Sequence, residues 1–193
     1  MYAFISGKLS EITPTYVIID NQGIGYFVNI SVNTYSQIKE LKEARLFTHL
    51  VVREDAHILY GFAKKNERQL FLMLITVSGV GANTARLILS SLTTEETYEA
   101  ITQSNTSVLQ SVKGIGGKTA QRIIIDLKDK LIKQDIHLEK IPSSHNTLKD
   151  EALSGLLILG FNKTIAEKAV NKVLKQTKID SVEELIKEAL KIL

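Results

Sequence analysis

Apolar and polar positions alternate in short runs over residues 1–62. "YAFISGKL", "TYVIID", "GYFVNI", "RLFTHLVV" and "HILYGF" are rich in β-branched and aromatic residues. The turn material "TP", "NQGIG" and "REDA" divides them. Such spacing predicts five short strands. One helical stretch, Asn33–Leu41, interrupts them. Five strands with an inserted helix suit a small barrel, either a five-stranded oligonucleotide-binding (OB) barrel or an SH3-like one. Strand counting leaves both open. Of the barrel aromatics Phe4, Tyr16, Tyr26, Phe27 and Tyr60, alternation predicts that several face the core.

From Ala63 the period lengthens to that of a helix. Leu70, Phe71, Leu74 and Val77 recur at helical spacing. Thr93-Thr-Glu-Glu96 has the form of a capping box, and Asn105 can cap a further short helix. A long helix from Thr119 carries Ala120, Ile123, Ile124, Leu127 and Leu131 on one stripe. Residues 134–147 are polar, contain Pro142 and hold no period, which predicts a flexible linker. Helical spacing returns over 148–193. Gly160-Phe161 marks a break there, and Asn162 and Ser181 can cap the next helices. The predicted class is α+β and multidomain. A five-stranded OB-like barrel (1–63), the commonest such solution, precedes an all-α central domain (64–133), the linker and a small three-helix bundle (148–193).

Composition narrows the chemistry. The chain has no cysteine, which excludes disulfides, thiolate catalysis and cysteine zinc sites. Four scattered histidines show no ligand spacing. No run is long and apolar enough for a membrane span, and no export signal opens the chain, so a cytoplasmic setting is expected. A net charge of +3 is mild. Its surplus, however, sits in residues 64–140, with 11 basic and 8 acidic side chains.

That same region says one thing twice. "TVSGVGANTARLIL" is followed by "SVKGIGGKTAQRIII". Gly79-Val80-Gly81 aligns with Gly114-Ile115-Gly116, Thr84-Ala85 with Thr119-Ala120, and Leu74 and Val77 with Leu109 and Val112. The pattern is the helix-hairpin-helix motif. Glycines allow positive φ and close backbone approach. The apolar residue between them anchors the turn, and the alanine lets two helices pack closely. The hairpin presents unpaired N–H groups at a helix start, a site suited to phosphate. Gly-x-Gly alone is often only a helix terminus; two copies in register point to a nucleic-acid backbone. The predicted contacts are Gly79, Gly81, Asn83, Thr84 and Arg86 in the first copy, and Gly114, Gly116, Gly117, Lys118, Thr119 and Arg122 in the second. Lys128 is a weaker candidate. Phosphate contacts position without reading sequence, so shape is the expected specificity. No P-loop or dinucleotide fingerprint is present.

The order of these parts resembles the RuvA family, the Holliday-junction-binding subunits of the bacterial branch-migration complex. "YAFISGKL", "VVREDAHILYGF", "SGVGANTA", "KGIGGKTAQRIIIDLKDK" and the late "LGF" carry the likeness over the whole chain. The resemblance implies a non-catalytic adaptor without cofactor or metal, assembled as a homotetramer on four-way junction DNA. It leaves open whether one tetramer or an octamer clamps the junction. It implies docking of the last domain on RuvB, a hexameric ATPase. Leu156, Leu157, Leu159 and Phe161 read mostly as bundle core by default; some apolar surface should be left over for the motor, with Leu156, Leu159 and Phe161 as candidates. RuvC, a junction nuclease, would act on the same complex. It gives Glu54 and Asp55, on what the family counts as a β3–β4-type hairpin, the role of an acidic pin at the junction centre. Asn83 departs from the basic residue expected in many relatives, so weaker contact is expected at the first hairpin. Two rival readings remain: a helix-hairpin-helix glycosylase or nuclease, for which Asp126, Asp129 and Asp135 are the nearby acids, and a general single-strand binder using barrel aromatics.

Overall fold

Each alternating run becomes a strand: β1 (Phe4–Ile12), β2 (Tyr16–Asn21), β3 (Ile24–Ile30), β4 (Glu43–Val52) and β5 (His57–Phe62). This computed structural model describes residues 2–138, 146–176, 179 and 181–193. The strands close in the order β1-β2-β3-β5-β4, and β1 pairs with β4 to seal the barrel. β3 and β5 run parallel, through Val28↔Leu59 and Ile30↔Gly61. Helix α1 (Val32–Ile38) bridges β3 and β4. That order and helix placement define the OB barrel and remove the SH3-like alternative.

The barrel interior is aliphatic. Ile5, Val17, Ile19, Val28, Ile30 and Leu46 fill it, and Ile38 of α1 joins them. The expectation of several core aromatics is corrected here. Of the five, only Tyr60 is buried; Phe4 and Phe27 are exposed, and Tyr16 and Tyr26 half-buried. Branched aliphatics already occupy the inward positions, so the alternation sends Phe4, Tyr16 and Phe27 outward. Tyr60 turns away from the barrel core and packs instead with the helices that follow.

Those helices are α2 (Lys65–Leu74), α3 (Ala82–Ser91), α4 (Thr94–Thr102), α5 (Thr106–Gln110) and α6 (Gly117–Leu138). Thr93 and Glu96 form both halves of the capping box of α4, and Asn105 caps α5. One core joins Tyr60 and Phe62 of β5 to Phe71, Leu74, Ile88, Ile101, Leu109, Ile123 and Leu127. Barrel and helices therefore fall in one compact unit, Met1–Asp135. α6 continues to Leu138 and α7 begins at Asn146, so helix occupies both ends of the segment read as a linker. Residues 139–145 of that segment lie outside the described residues.

The second unit, Ile136–Leu193, contains α7 (Asn146–Ile158), α8 (Lys163–Gln176) and α9 (Val182–Leu190). Its core is small: Ala152, Leu156, Ala166, Ala169, Val170, Val173, Leu185 and Ala189, with Ile179. Gly160 ends α7 at φ +95°, and Ser181 caps α9.

A buried carboxylate lies in the first unit. Glu67 of α2 is 3% exposed and accepts hydrogen bonds from Ser31 Oγ and from Thr34 Oγ1 (2.8 Å). Burial raises its pKa above the ordinary carboxylate value, while the two hydroxyls and Lys64 pull it back. A raised folded pKa means the folded chain holds this proton more tightly than the unfolded chain. Its stabilising contribution is full below the ordinary carboxylate range and is lost as pH rises through the folded value. Glu67→Gln does not titrate. Its stability relative to the parent should therefore improve as pH rises from about 4 to about 7, as read by thermal melts. A difference independent of pH would contradict this.

Candidate nucleic-acid interface

The two hairpins are built alike, bond for bond. In the first, Val77 N–H donates to Leu74 O, Val80 N–H to Val77 O (3.0 Å) and Ala85 N–H to Gly81 O (2.9 Å). In the second, Val112 N–H donates to Leu109 O, Ile115 N–H to Val112 O (3.0 Å) and Ala120 N–H to Gly116 O (2.9 Å). Val80 and Ile115 are buried, as are Ala85 and Ala120. They are the apolar pegs that set each turn on the shared core.

The glycines divide by job. Gly79 and Gly114 both stand at φ +90°, a conformation that side-chain-bearing residues rarely adopt. Gly81, the cap residue of α3, has an ordinary φ of −81°, and a Cβ there or at Gly116 would meet open space. Nothing inside the protein requires glycine at these two positions. What a side chain would obstruct is approach from outside, at the start of a helix whose first N–H groups are unpaired.

The polar candidates are placed unequally. Lys118 is exposed at the second hairpin, and so is Lys113, which sequence reasoning missed although it directly precedes Gly114. The first hairpin has Ser78 and Asn83 in the corresponding places. Asn83 is exposed, and its Oδ1 accepts a hydrogen bond from Tyr60 Oη (3.0 Å), which leaves its NH2 turned away from Tyr60 as a donor. Burial raises the pKa of the Tyr60 hydroxyl, so it stays a donor. Arg86 does not stand free at the rim: its Nη1 donates to Thr15 O (3.0 Å) and Asn29 Oδ1 (3.4 Å) on the barrel. Arg122 reaches from α6 to the first hairpin, donating to Ser78 O (3.2 Å) and Ser78 Oγ (3.1 Å). It ties the hairpins together and remains exposed. Lys128 donates to Ser104 Oγ (2.8 Å). Thr84 and Thr119 are half-buried, and Gly117 is exposed beside Gln110.

Glu54 and Asp55 form the exposed tip of a tight turn, closed by Arg53 N–H to Ala56 O (2.8 Å). In this chain the turn joins β4 to β5, not β3 to β4. Tyr60, which grips Asn83, lies further along β5. Acidic tip and first hairpin are thus linked by roughly 17 Å of extended strand.

In the C-terminal unit, Leu156 is fully buried in the bundle core. It therefore offers no surface to a partner, which corrects the expectation for that residue. Phe161 is half-buried against the same core. Leu159 is exposed at 60%, as are its chain neighbour Ile158 at 84% and, on α8, Ile165 at 55%. Sequence reasoning did not single out Ile158, because Leu156 to Leu159 are four successive apolar residues that cover every side of the helix end. Among the described residues, no group of three or more His, Cys, Asp or Glu side chains could hold a metal ion, and no helix is long and apolar enough to cross a membrane.

An OB barrel fused to paired helix-hairpin-helix elements places the chain among tandem-hairpin proteins, a class whose hairpin face is suited to nucleic-acid backbones. The family model described as "RuvA N terminal domain" matches residues 1–61. "SAM-like Helix-hairpin-helix tandem" matches 71–129, and "RuvA, C-terminal domain" matches 147–193. A protein of Christiangramia forsetii is 52% identical over 191 residues, 99% of each chain. One of Flavobacterium psychrophilum is 50% identical over 192 residues, again 99% of each, and one of Cytophaga hutchinsonii is 46% identical over 199 aligned positions and all of both chains. All three are named Holliday junction branch migration complex subunit RuvA. The chain belongs to the RuvA family.

The two kinds of hairpin glycine predict opposite behaviour. Gly81→Ser should leave melting unchanged or slightly raised, because serine is a good helix cap, yet weaken binding to DNA. Gly114→Ser should lower stability by about 1–3 kcal/mol through its positive φ. Melting curves and duplex binding measured together check this; equal melting losses in both variants would contradict it.

Proposed function

We propose that the chain binds four-way junction DNA by shape, holds it open, and tethers a RuvB-type ATPase for branch migration in recombination and repair. The observation that carries this reading is the pair of matching hairpins, fixed in one unit with an exposed acidic turn. The hairpins supply backbone donors, Lys113 and Lys118 to phosphates; none of these groups reads bases. Glu54 and Asp55 repel phosphate. A linear duplex crossing that tip would suffer repulsion without relief, whereas a junction has an open centre that accommodates it. The chain itself acts as an adaptor without catalysis. A homotetramer, one copy per arm, matches the four-fold form of the DNA. A RuvC-type nuclease would act on the same assembly, in a cytoplasmic setting. In this division of labour residues 1–63 carry the pin and assembly surfaces, 64–133 hold the phosphates, and 148–193 dock the motor through Ile158, Leu159 and Ile165.

The outward aromatics Phe4 and Phe27 favour one second reading, a barrel that stacks single-stranded bases. Competition in the absence of ATP and metal separates the two. Four-way junction should displace labelled junction far better than linear duplex or single strand of the same sequence. Neutralising the tip with Glu54→Gln and Asp55→Asn should raise duplex affinity and narrow that preference. Single strand competing as well as junction would favour the stacking reading, and equal competition by all three would leave a generic phosphate binder.

Exposed apolar anchors dominate docking energetics when they enter a partner's pocket. Ile158→Asp combined with Leu159→Asp should weaken association with the ATPase by roughly tenfold or more, and leave junction binding within about twofold. Pull-down and mobility shift on the same preparation test this; unimpaired motor association would remove this surface from the proposal.

A further inference from the structure

Helix α1 is where three elements of the first unit are fastened. Its N-cap, Ser31, and its residue Thr34 are both fully buried, and both donate their hydroxyls to Glu67 of α2. Ser31 Oγ also accepts from Thr34 N–H (2.9 Å), and Thr34 Oγ1 accepts from Ala63 N–H (3.2 Å) where β5 gives way to α2. On its other side α1 meets the C-terminal end of α3, the helix that follows the first hairpin. Asn33 Nδ2 donates to Leu89 O (2.7 Å) and Leu92 O (2.9 Å), carbonyls with no onward partner in α3. Val32 N–H donates to Ser90 Oγ (3.2 Å), which in turn donates to Arg86 O (2.7 Å). Ile38 anchors α1 in the barrel core.

α3 is consequently held to the barrel at both ends. Tyr60 and the backbone of Thr15 hold Asn83 and Arg86 near its start, and Asn33 holds its finish. A buried carboxylate contributes little net stability compared with apolar packing of the same volume. What it adds is direction: each bond is satisfied at one orientation of the elements and lost at others. The orientation so fixed is that between the acidic turn and the first hairpin, and through Arg122 the second hairpin as well.

We infer that Asn33 and Glu67 are positioning residues for junction recognition: by clamping α1 between α2 and α3 they set the angle at which the hairpins face the acidic turn. This rests on the junction-binding reading, and it assigns to these two residues the preference for four arms over two, not the affinity for phosphate. Neither residue lies at the hairpins or the tip, so their loss should leave the phosphate-binding groups in place and misalign them relative to the pin.

The absence of native cysteine provides a direct test in the full chain. Val52→Cys beside the acidic turn and Leu87→Cys on α3 are both exposed positions for spin labels. With labelled chain diluted into excess unlabelled chain, so that an assembly carries one labelled copy, the parent should give one narrow label-to-label distance distribution. Asn33→Ala should broaden or shift it, and Glu67→Ala likewise, with Glu67→Gln closer to the parent because one acceptor oxygen is kept. In unlabelled protein, Asn33→Ala should lower the ratio of junction to duplex affinity by roughly tenfold, while duplex affinity stays within about twofold. Unchanged distances with an unchanged ratio would overturn the inference, and so would a parallel fall for both DNAs, which a merely structural role would produce. If Glu67→Ala does not fold, Asn33→Ala and Glu67→Gln carry the test. Should the parent show no junction preference, the functional reading fails, and the distance measurement still decides whether these residues position the hairpins.

Discussion

The proposed reading of junction shape depends first on the aromatic seam between barrel and helices. Tyr60 and Phe62 leave β5 and meet Phe71 of α2 at ring-centroid distances of 5.2 and 4.9 Å. His49 of β4 completes the group at 5.8 Å from Phe71. Rings in such tilted contact contribute beyond their buried area, and their shape admits few alternative orientations. Without the seam, the polar contacts of α1 and α3 alone would hold the barrel to the hairpins. With it, an acidic tip on one and the glycine turns proposed to bind phosphate on the other share one frame. Shape recognition needs that frame, because neither part carries sequence information.

The charges are arranged with the same economy. Positive side chains do not crowd the hairpin face. Arg86 and Arg122 hold parts of the protein together, and the rim presents Lys113, Lys118 and Asn83 beside the backbone of the two turns. A mild net charge of +3 fits a protein that must discriminate between DNA shapes. Stronger general attraction would raise binding to every duplex alike. In the proposed reading, the exposed carboxylates at the β4–β5 turn work in the same direction.

Much of this was legible from residue order. The repeat was visible because both copies keep Gly-x-Gly, Thr-Ala and the apolar positions, and the matching hydrogen bonds follow from that identity. Strand alternation gave the barrel, and capping residues at Thr93, Asn105 and Ser181 marked helix starts correctly. Other features were hidden because they depend on long-range contacts. Periodicity could not tell that Tyr60 serves the helical core, nor which residues of the apolar run Leu156 to Leu159 stay exposed. The engagement of Arg86 with Thr15, of Arg122 with Ser78 and of Asn33 with Leu89 joins residues far apart in sequence. A charged residue in a helix reads as solvated until its partner is known, and Glu67 is the clearest case.

The central claim is that the hairpins and acidic turn act together on the crossing point of four DNA arms. Hydroxyl-radical footprinting of a fixed four-way junction, with the full chain and without ATP or metal, tests it most directly. The account predicts short protected stretches of backbone in all four arms, symmetric about the crossover and fading within one helical turn. Protection spread evenly along the arms, or confined to one arm, would contradict it.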